Sequence, residues 1–139
     1  MTTYAGDVTP TEAWERLQAD PNAKLVDVRT QAEWVYVGVP DLGGVGKQPL
    51  LVQWQTFPGM TRNDAFAEQL RGQGVQPGDT LLFLCRSGVR SKAAAELMTQ
   101  LGFTAAYNIS DGFEGPLDAG RHRGAAAGWK AAGLPWVQG

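Results

Sequence analysis

Residues 85–91 read Cys-Arg-Ser-Gly-Val-Arg-Ser and carry the side chains with the greatest chemical potential in the chain. Cys85 is the only cysteine, and it directly follows residues 80–84, whose sequence Thr-Leu-Leu-Phe-Leu predicts the most apolar strand. Gly88 lets the backbone turn sharply, and a helix is predicted from Val89 onward. Because a cysteine thiolate is a strong nucleophile, this segment predicts covalent chemistry at sulfur.

The surroundings predicted for Cys85 favour its ionisation. The first turn of a helix has backbone N–H groups without intrahelical partners, and the helix dipole adds partial positive charge there. Arg86 and Arg90 bring two full positive charges to the same loop. Converging amides also suit a small oxyanion, so the loop predicts attack on an anionic donor and a sheltered covalent intermediate. An inert, buried cysteine is the structural alternative, and the arginines and Gly88 argue against it.

The elements predicted around this loop alternate between strands and helices. Strands are expected at residues 24–28, 50–54, 80–84 and 105–109, and helices from Thr9 to about residue 20 and at 30–36, 61–72, 89–101 and 125–132. Irregular segments lie between them, with a turn at 57–60. This alternation predicts an α/β fold with a mostly parallel sheet and helices on both faces. Ligands of such sheets bind beyond the carboxyl ends of the strands, where Cys85 lies.

Length and composition narrow the class of protein. The chain has 139 residues, which predicts a single domain over residues 1–139, and 43% of them are hydrophobic. A net charge of −2 argues against a nucleic-acid partner. The sequence has no signal-peptide pattern and no apolar run long enough to span a membrane, so a cytoplasmic protein without a membrane partner is expected.

Four segments together resemble the rhodanese family. Residues 25–34 (Leu-Val-Asp-Val-Arg-Thr-Gln-Ala-Glu-Trp) resemble its early motif, a strand ending in Asp-x-Arg before an acidic-aromatic pair. Residues 81–101 resemble its catalytic strand, loop and helix, 102–112 its next strand and glycine turn, and 128–135 its closing helix. The resemblance implies a rhodanese-like α/β domain with a central, parallel, five-stranded sheet.

The resemblance also implies a reaction. Cys85 would accept sulfane sulfur as a persulfide and pass it to a thiophilic acceptor such as cyanide, a thiol or a sulfur-accepting protein. Arg86 and Arg90 would attract the anionic donor, and a basic residue directly after the cysteine resembles members that use thiosulfate. Backbone amides of the loop would stabilise the persulfide; the residues concerned are Arg86, Ser87, Gly88, Val89, Arg90 and Ser91. No cofactor and no metal site are expected.

Other functions remain open at this point. One is a persulfide carrier in a sulfur relay, whose donor is a protein or glutathione persulfide; another is a regulatory module without catalysis. Phosphatases and arsenate reductases on similar domains have Cys-x5-Arg loops, which cradle a larger oxyanion. The spacing here is Cys-x4-Arg, which favours sulfur chemistry.

The remaining polar and aromatic candidates receive lesser roles. Asp27 is expected to form a structural ion pair or cap and Arg29 to support the loop. Glu33 is expected to cap a helix or pair with Arg29, and His122, the only histidine, to be solvated. Trp34 is expected in the core; a place on the pocket rim is considered for Trp54, Phe57 and Met60. Segments 37–46 and 111–124 depart from the family pattern, which leaves the rim of the pocket open.

Overall fold

A computed structural model describes residues 4–56, 61–86, 88–114 and 128–137 of the chain. The strands are β1 (Gly6–Val8), β2 (Ala23–Asp27), β3 (Val39–Pro40), β4 (Leu50–Leu51), β5 (Gln55–Thr56), β6 (Thr61–Arg62), β7 (Thr80–Leu84), β8 (Ala106–Ile109) and β9 (Trp136–Val137). The helices are α1 (Pro10–Ala19), α2 (Gln31–Tyr36), α3 (Phe66–Gly72) and α4 (Val89–Gln100), and a 3-10 turn covers Gly43–Val45.

The main sheet has five strands in the order β1-β8-β7-β2-β4, and all its neighbouring pairs are parallel. The predicted α/β fold with a five-stranded parallel sheet is therefore confirmed. β2 and β7 pair along their whole length, and Asp27 lies opposite Leu84. This register sets the end of β2 beside Cys85, because the amide of Val28 donates to the carbonyl of Leu84 at 2.8 Å.

Helices cover both faces of the sheet. Every residue of β7 after Thr80 is apolar, so β7 presents apolar side chains to the helices on each face. Successive strand residues point to opposite faces, so Leu81 and Phe83 join one core cluster and Leu82 and Leu84 the other. The first cluster includes side chains of α3 and α4, namely Phe66, Leu70, Ala94, Ala95 and Met98. The second includes Ala13 and Leu17 of α1, together with Trp129.

Two helices begin directly after threonines that serve as their N-caps. Thr9 caps α1 and Thr30 caps α2, and each forms a capping box with the glutamate three residues later, Glu12 or Glu33. The box on α2 fixes the helix start directly after the Asp27–Arg29 segment. Among the described residues, no helix has the length and apolar character that crossing a bilayer requires.

Several predicted elements are shorter than expected. The strand expected at 50–54 ends at Leu51, and the helix expected from residue 61 begins only at Phe66. The reason is a small antiparallel hairpin, since Gln55 pairs with Arg62 and Thr56 with Thr61. The turn predicted at 57–60 lies outside the described residues. The sequence pattern does not predict the short strands β1, β3 and β9, which are three, two and two residues long.

The predicted last helix is wrong where the structure describes it. Residues 128–133 form turns, while 125–127 lie outside the described part of the chain. Gly128 has a φ of 102°, outside the helical region. The amides of Trp129 and Lys130 donate to Gly112 (2.8 Å) and Phe113 (3.1 Å), so these donors bind a neighbouring turn instead of starting a helix. The segment thereby fastens the turn that follows β8.

Candidate active site

Cys85 lies where the carboxyl end of β7 passes into the loop that starts α4. The residue is 1% exposed, so its thiol sits at the base of this loop rather than on the surface. Gly88 is the N-cap of α4 and has a φ of 105°, a conformation that residues with a Cβ rarely adopt. This sharp turn brings the amide end of α4 over the sulfur.

Two polar groups lie within hydrogen-bond distance of the sulfur. The Gly88 amide donates to Cys85 Sγ at 3.1 Å, and Ser91 Oγ is 3.2 Å from the same atom. Ser91 is itself buried, whereas Val89 points its side chain to solvent with 76% exposure. Ser87 lies outside the described residues. Six residues are expected to surround the sulfur. Of these, Gly88 contributes an amide and Ser91 a hydroxyl within hydrogen-bond distance of it.

Ser91 is also tied to residues that the sequence analysis did not select. Its Oγ lies 2.5 Å from Asn108 Oδ1, and Asn108 Nδ2 donates to Asp7 Oδ1 at 3.0 Å. Asn108 is 4% exposed and belongs to β8, the strand beside β7. A polar amide inside an otherwise apolar strand is the sequence feature that could have drawn attention to it, because buried amides need partners.

Arg90 is paired with Glu33 on α2. Its two terminal nitrogens donate to the two carboxylate oxygens of Glu33 at 2.7 and 2.9 Å. Burial acts to raise the pKa of Glu33, but the hydrogen bonds and charge of Arg90 outweigh it, and the net pKa is lowered. The pKa of Arg90 is raised, since the bond to Glu33 outweighs the effect of burial. The expected pairing of Glu33 with Arg29 is wrong; the expected cap is present.

Because of the ion pair between Arg90 and Glu33, we expect the stability of the protein to depend on pH. Glu33→Gln keeps a capping-box side chain but loses the charge, and we expect it to lower the free energy of unfolding at neutral pH by about 2 kcal/mol. Because the folded-state pKa of Glu33 is depressed, its contribution is present above the unfolded value of about 4.3 and is lost as the pH falls through the folded value. Urea unfolding of both proteins at several pH values measures the difference.

Glu12→Gln is the matched control for that comparison. It alters the same kind of capping box, on α1, where the carboxylate is exposed and has no arginine partner comparable to Arg90. A difference between wild type and Glu33→Gln that stays constant down to acid pH would contradict the role given to the ion pair.

Asp27 and Arg29 form a buried ion pair, as expected for Asp27. Arg29 Nε and Nη2 donate to the two carboxylate oxygens of Asp27 at 2.9 and 2.7 Å, and both residues are 0% exposed. Arg29 Nη2 also donates to the carbonyl of Gly38 at 2.6 Å, and the guanidinium lies 4.3 Å from the ring centre of Phe113. Nη1 of Arg29 is buried without a hydrogen-bond partner. Arg29 thus supports the loop through Phe113.

The turn that contains Phe113 packs directly on the backbone at Cys85. The amide of Phe113 donates to the carbonyl of Cys85 at 2.8 Å, and the amide of Glu114 to that of Arg86 at 3.0 Å. A Cβ on Gly112 would lie 2.5 Å from the Cys85 carbonyl oxygen and 2.6 Å from the Arg86 carbonyl carbon. The sequence marks a turn here, but its contact with the Cys85 loop comes from the tertiary structure.

The remaining candidates are buried in the core, half-buried or outside the described residues. Trp54 is 8% exposed and stacks edge-on against Phe66 in the core, so its proposed place on the rim is wrong. Trp34 is half-buried. His122, Phe57 and Met60 fall outside the described part. No group of three metal-ligating side chains occurs among the described residues.

Known proteins show the same sequence pattern and fold. The family model of the STR4 middle domain matches residues 5–139. A Rickettsia rickettsii protein named "Uncharacterized protein RP600 homolog" is 38% identical over 130 residues, covering 94% of this chain and 95% of its own length. "Rhodanese-like domain-containing protein 4, chloroplastic" of Arabidopsis thaliana is 32% identical over 91% of this chain, which spans only 24% of that protein.

Solved structures with a similar fold are also known. The crystal structure of Rv0390 from M. tuberculosis is 54% identical, with a TM-score of 0.90 over 99% of this chain and 100% of that one. A polysulfide-sulfur transferase homodimer from Wolinella succinogenes shares the fold at 20% identity, with a TM-score of 0.63 over 96% of this chain and 78% of that one. Together with the geometry at Cys85, these matches show that the chain belongs to the rhodanese-like family, within the group described by the STR4 middle domain.

Proposed function

We propose that this protein is a sulfurtransferase that carries sulfane sulfur on Cys85, with thiosulfate as donor and cyanide or a thiol as acceptor. The observation that supports this most is the placement of the Gly88 amide at 3.1 Å from Cys85 Sγ, at the start of a helix of 12 residues. Amides at a helix start favour negative charge on a neighbouring atom. Both the thiolate and the persulfide carry such a charge.

The reaction consists of two displacements at sulfur. The Cys85 thiolate attacks the outer sulfur of thiosulfate; the new Sγ–S bond forms as the S–S bond of thiosulfate breaks, and sulfite leaves with the electron pair. Cyanide or a thiolate then attacks the terminal sulfur of the persulfide and leaves with it, which restores the Cys85 thiolate. Neither step needs an external oxidant, reductant or metal ion.

The loop residues have different roles in this reaction. The Gly88 amide stabilises charge at the sulfur, and the start of α4 adds the partial positive charge of a helix N-terminus. Arg90 is neutralised by Glu33, so its charge serves mainly to hold α2 against the start of α4. Arg86 is exposed and forms no ion pair with another described residue. Attraction of an anionic donor therefore falls mainly to Arg86.

Arg86→Ala is expected to raise the KM for thiosulfate about tenfold, the effect of losing one charge-assisted hydrogen bond. Added salt should weaken thiosulfate use by wild type more than by the variant, because salt screens an exposed charge. Steady-state formation of thiocyanate at several salt concentrations gives both values. Lys92→Ala removes an exposed positive charge from α4 and serves as the matched control. An equal rise in KM for both variants would show that only net charge matters.

Intact-mass spectrometry tests the function itself. Wild type incubated with thiosulfate should gain the mass of one sulfur atom, lose it on addition of cyanide and release thiocyanate. Cys85→Ser, which removes the only thiol, should do neither. Thiocyanate formation by Cys85→Ser at the wild-type rate would refute the proposal.

Two further outcomes would change the proposed donor or the proposed reaction. A mass gain with glutathione persulfide but not with thiosulfate would leave Cys85 as a persulfide carrier and remove thiosulfate as donor. Hydrolysis of a phosphotyrosine analogue or reduction of arsenate, lost in Cys85→Ser, would replace sulfur transfer by oxyanion chemistry despite the short Cys-x4-Arg loop.

A further inference from the structure

A row of polar side chains runs behind the sulfur from α4 across β8 to β1. We call Ser91, Asn108 and Asp7 the serine row. Ser91 Oγ is 3.2 Å from Cys85 Sγ and 2.5 Å from Asn108 Oδ1, and Asn108 Nδ2 donates to Asp7 Oδ1 at 3.0 Å. The same Asp7 oxygen accepts from the Tyr4 hydroxyl at 2.7 Å. The row connects the buried sulfur with an exposed carboxylate.

The number of hydrogen-bond donors in the serine row indicates which protonation state of Cys85 is compatible with the observed contacts. A serine hydroxyl has one hydrogen to donate, and an amide oxygen can only accept. At 2.5 Å between Ser91 Oγ and Asn108 Oδ1, that hydrogen must lie between these two oxygens. The Cys85 thiol can then donate its own hydrogen to Ser91 Oγ. The observed arrangement is therefore complete when Cys85 is a neutral thiol.

Asp7 prevents the row from rearranging. A carboxylate accepts hydrogen bonds only, so the NH2 group of Asn108 must face Asp7 and its carbonyl must face Ser91. Turning the Asn108 amide over would bring its oxygen against the carboxylate of Asp7. The orientation of Asn108, and through it the hydrogen of Ser91, is set from β1.

We propose that Asp7 and Asn108 are positioning residues that draw the Ser91 hydrogen away from Cys85 and so restrain formation of the free thiolate. To stabilise a thiolate, Ser91 must turn its hydrogen to the sulfur, which leaves two oxygen lone pairs facing each other at the Asn108 contact. In a persulfide the charge moves to the outer sulfur, and the Ser91–Asn108 bond stays intact. The row then favours the sulfur-loaded form over the empty thiolate; this last step rests on the proposed function.

Other charges near the two ends of the row act independently of it. Arg90, paired with Glu33, couples electrostatically to Cys85 from α4, and Arg86 follows the cysteine in the chain. Asp111 has its backbone against Gly88, and Glu96 of α4 acts on Tyr4 at the far end. These groups stay unchanged in the variants below, so a change in Cys85 ionisation reports on the row.

Cys85 is the only cysteine, so its thiolate can be followed by ultraviolet absorbance and by the rate of alkylation with iodoacetamide across a pH series. Asn108→Ala removes the acceptor and frees the Ser91 hydrogen, and Asp7→Asn, an exposed change, lets the Asn108 amide turn over. We expect each to raise the thiolate fraction at a fixed pH below the midpoint about tenfold. Alkylation should accelerate about threefold, because a more acidic thiol is a weaker nucleophile.

A double-mutant cycle separates the hydrogen bond from simple charge removal. In a Ser91→Ala background the row is cut, so Asn108→Ala should have no effect on the thiolate fraction and Asp7→Asn only a small electrostatic one. Equal shifts with and without Ser91, or no shift in the single variants, would overturn the proposal. Neither readout needs sulfur transfer, so failure of the proposed function leaves this test intact.

Discussion

Gly112→Ala is expected to destabilise the protein by about 3 kcal/mol and to reduce sulfur transfer at least tenfold. The new methyl group would lie 2.5 Å from the Cys85 carbonyl oxygen and 2.6 Å from the Arg86 carbonyl carbon, both backbone atoms that no rotamer change can move. The φ of 64° adds strain of about 1–2 kcal/mol for any residue with a Cβ. Overpacking adds about 1–3 kcal/mol. Relief of the clash would move the backbone that carries the nucleophile.

Urea unfolding and thiocyanate formation measure the two effects, and Gly46→Ala is the matched control. Gly46 has a similar φ of 71°, but a Cβ there meets no atom within 4 Å. It should show the backbone strain alone, without loss of activity. Equal stability and activity of the two variants would mean that the turn after β8 does not hold the Cys85 loop in place.

Arg29→Met is expected to cost about 3–5 kcal/mol of stability, because it leaves the carboxylate of Asp27 buried without its partner. The variant also loses the hydrogen bond to the Gly38 carbonyl and the contact with Phe113, which ties the pair to the turn over Cys85. Urea unfolding at neutral pH measures the loss. Sulfur transfer should fall as well if the protein remains folded.

The double variant Asp27→Leu, Arg29→Met tests whether the cost lies in the uncompensated charge. Its stability should be well above that of Arg29→Met alone, since apolar side chains of similar size can replace a buried ion pair at small cost. Lys24→Met is the control in a partly exposed pair, where the Lys24 side chain is 30% exposed, and should cost about 1 kcal/mol or less. A cost for Arg29→Met no larger than that would contradict the structural role of the buried pair.

The site as a whole combines the loop between Cys85 and α4 with three supports from elsewhere in the fold. Glu33 fixes the start of α4 through Arg90, Gly112 packs on the loop backbone, and Asn108 orients Ser91. Each support acts on a different atom group of the loop, so the variants proposed for them should affect different measurements. Of these three supports, Gly112 is expected to affect stability most, and Asn108 is expected to affect the ionisation of Cys85 most.

Features that are local in the chain could be predicted from the sequence. Residues 80–84 are a continuous apolar run, so a buried strand ending at Cys85 follows from composition alone. Gly88, directly before a helix-forming segment, and Thr30 with Glu33 three residues later are likewise local patterns. Asp27 and Arg29 are two residues apart, and the ion pair expected for Asp27 forms within this short segment. In each case the atoms that interact are brought together by a few bonds of the chain.

The tertiary structure decided which distant residues meet at the sulfur. Arg90 finds Glu33 across 57 positions, and Asn108 finds Asp7 across 101. These contacts depend on the strand order and on the register of β8 between β1 and β7, and a shift of one residue would point Asn108 to the other face. The helix predicted at 125–132 is wrong at 128–132 for the same reason, because the amides of Trp129 and Lys130 bind the turn at Gly112 and Phe113. Local sequence determined Cys85 and its loop, whereas long-range pairing determined the residues around them, since only the folded sheet brings those side chains within hydrogen-bond distance.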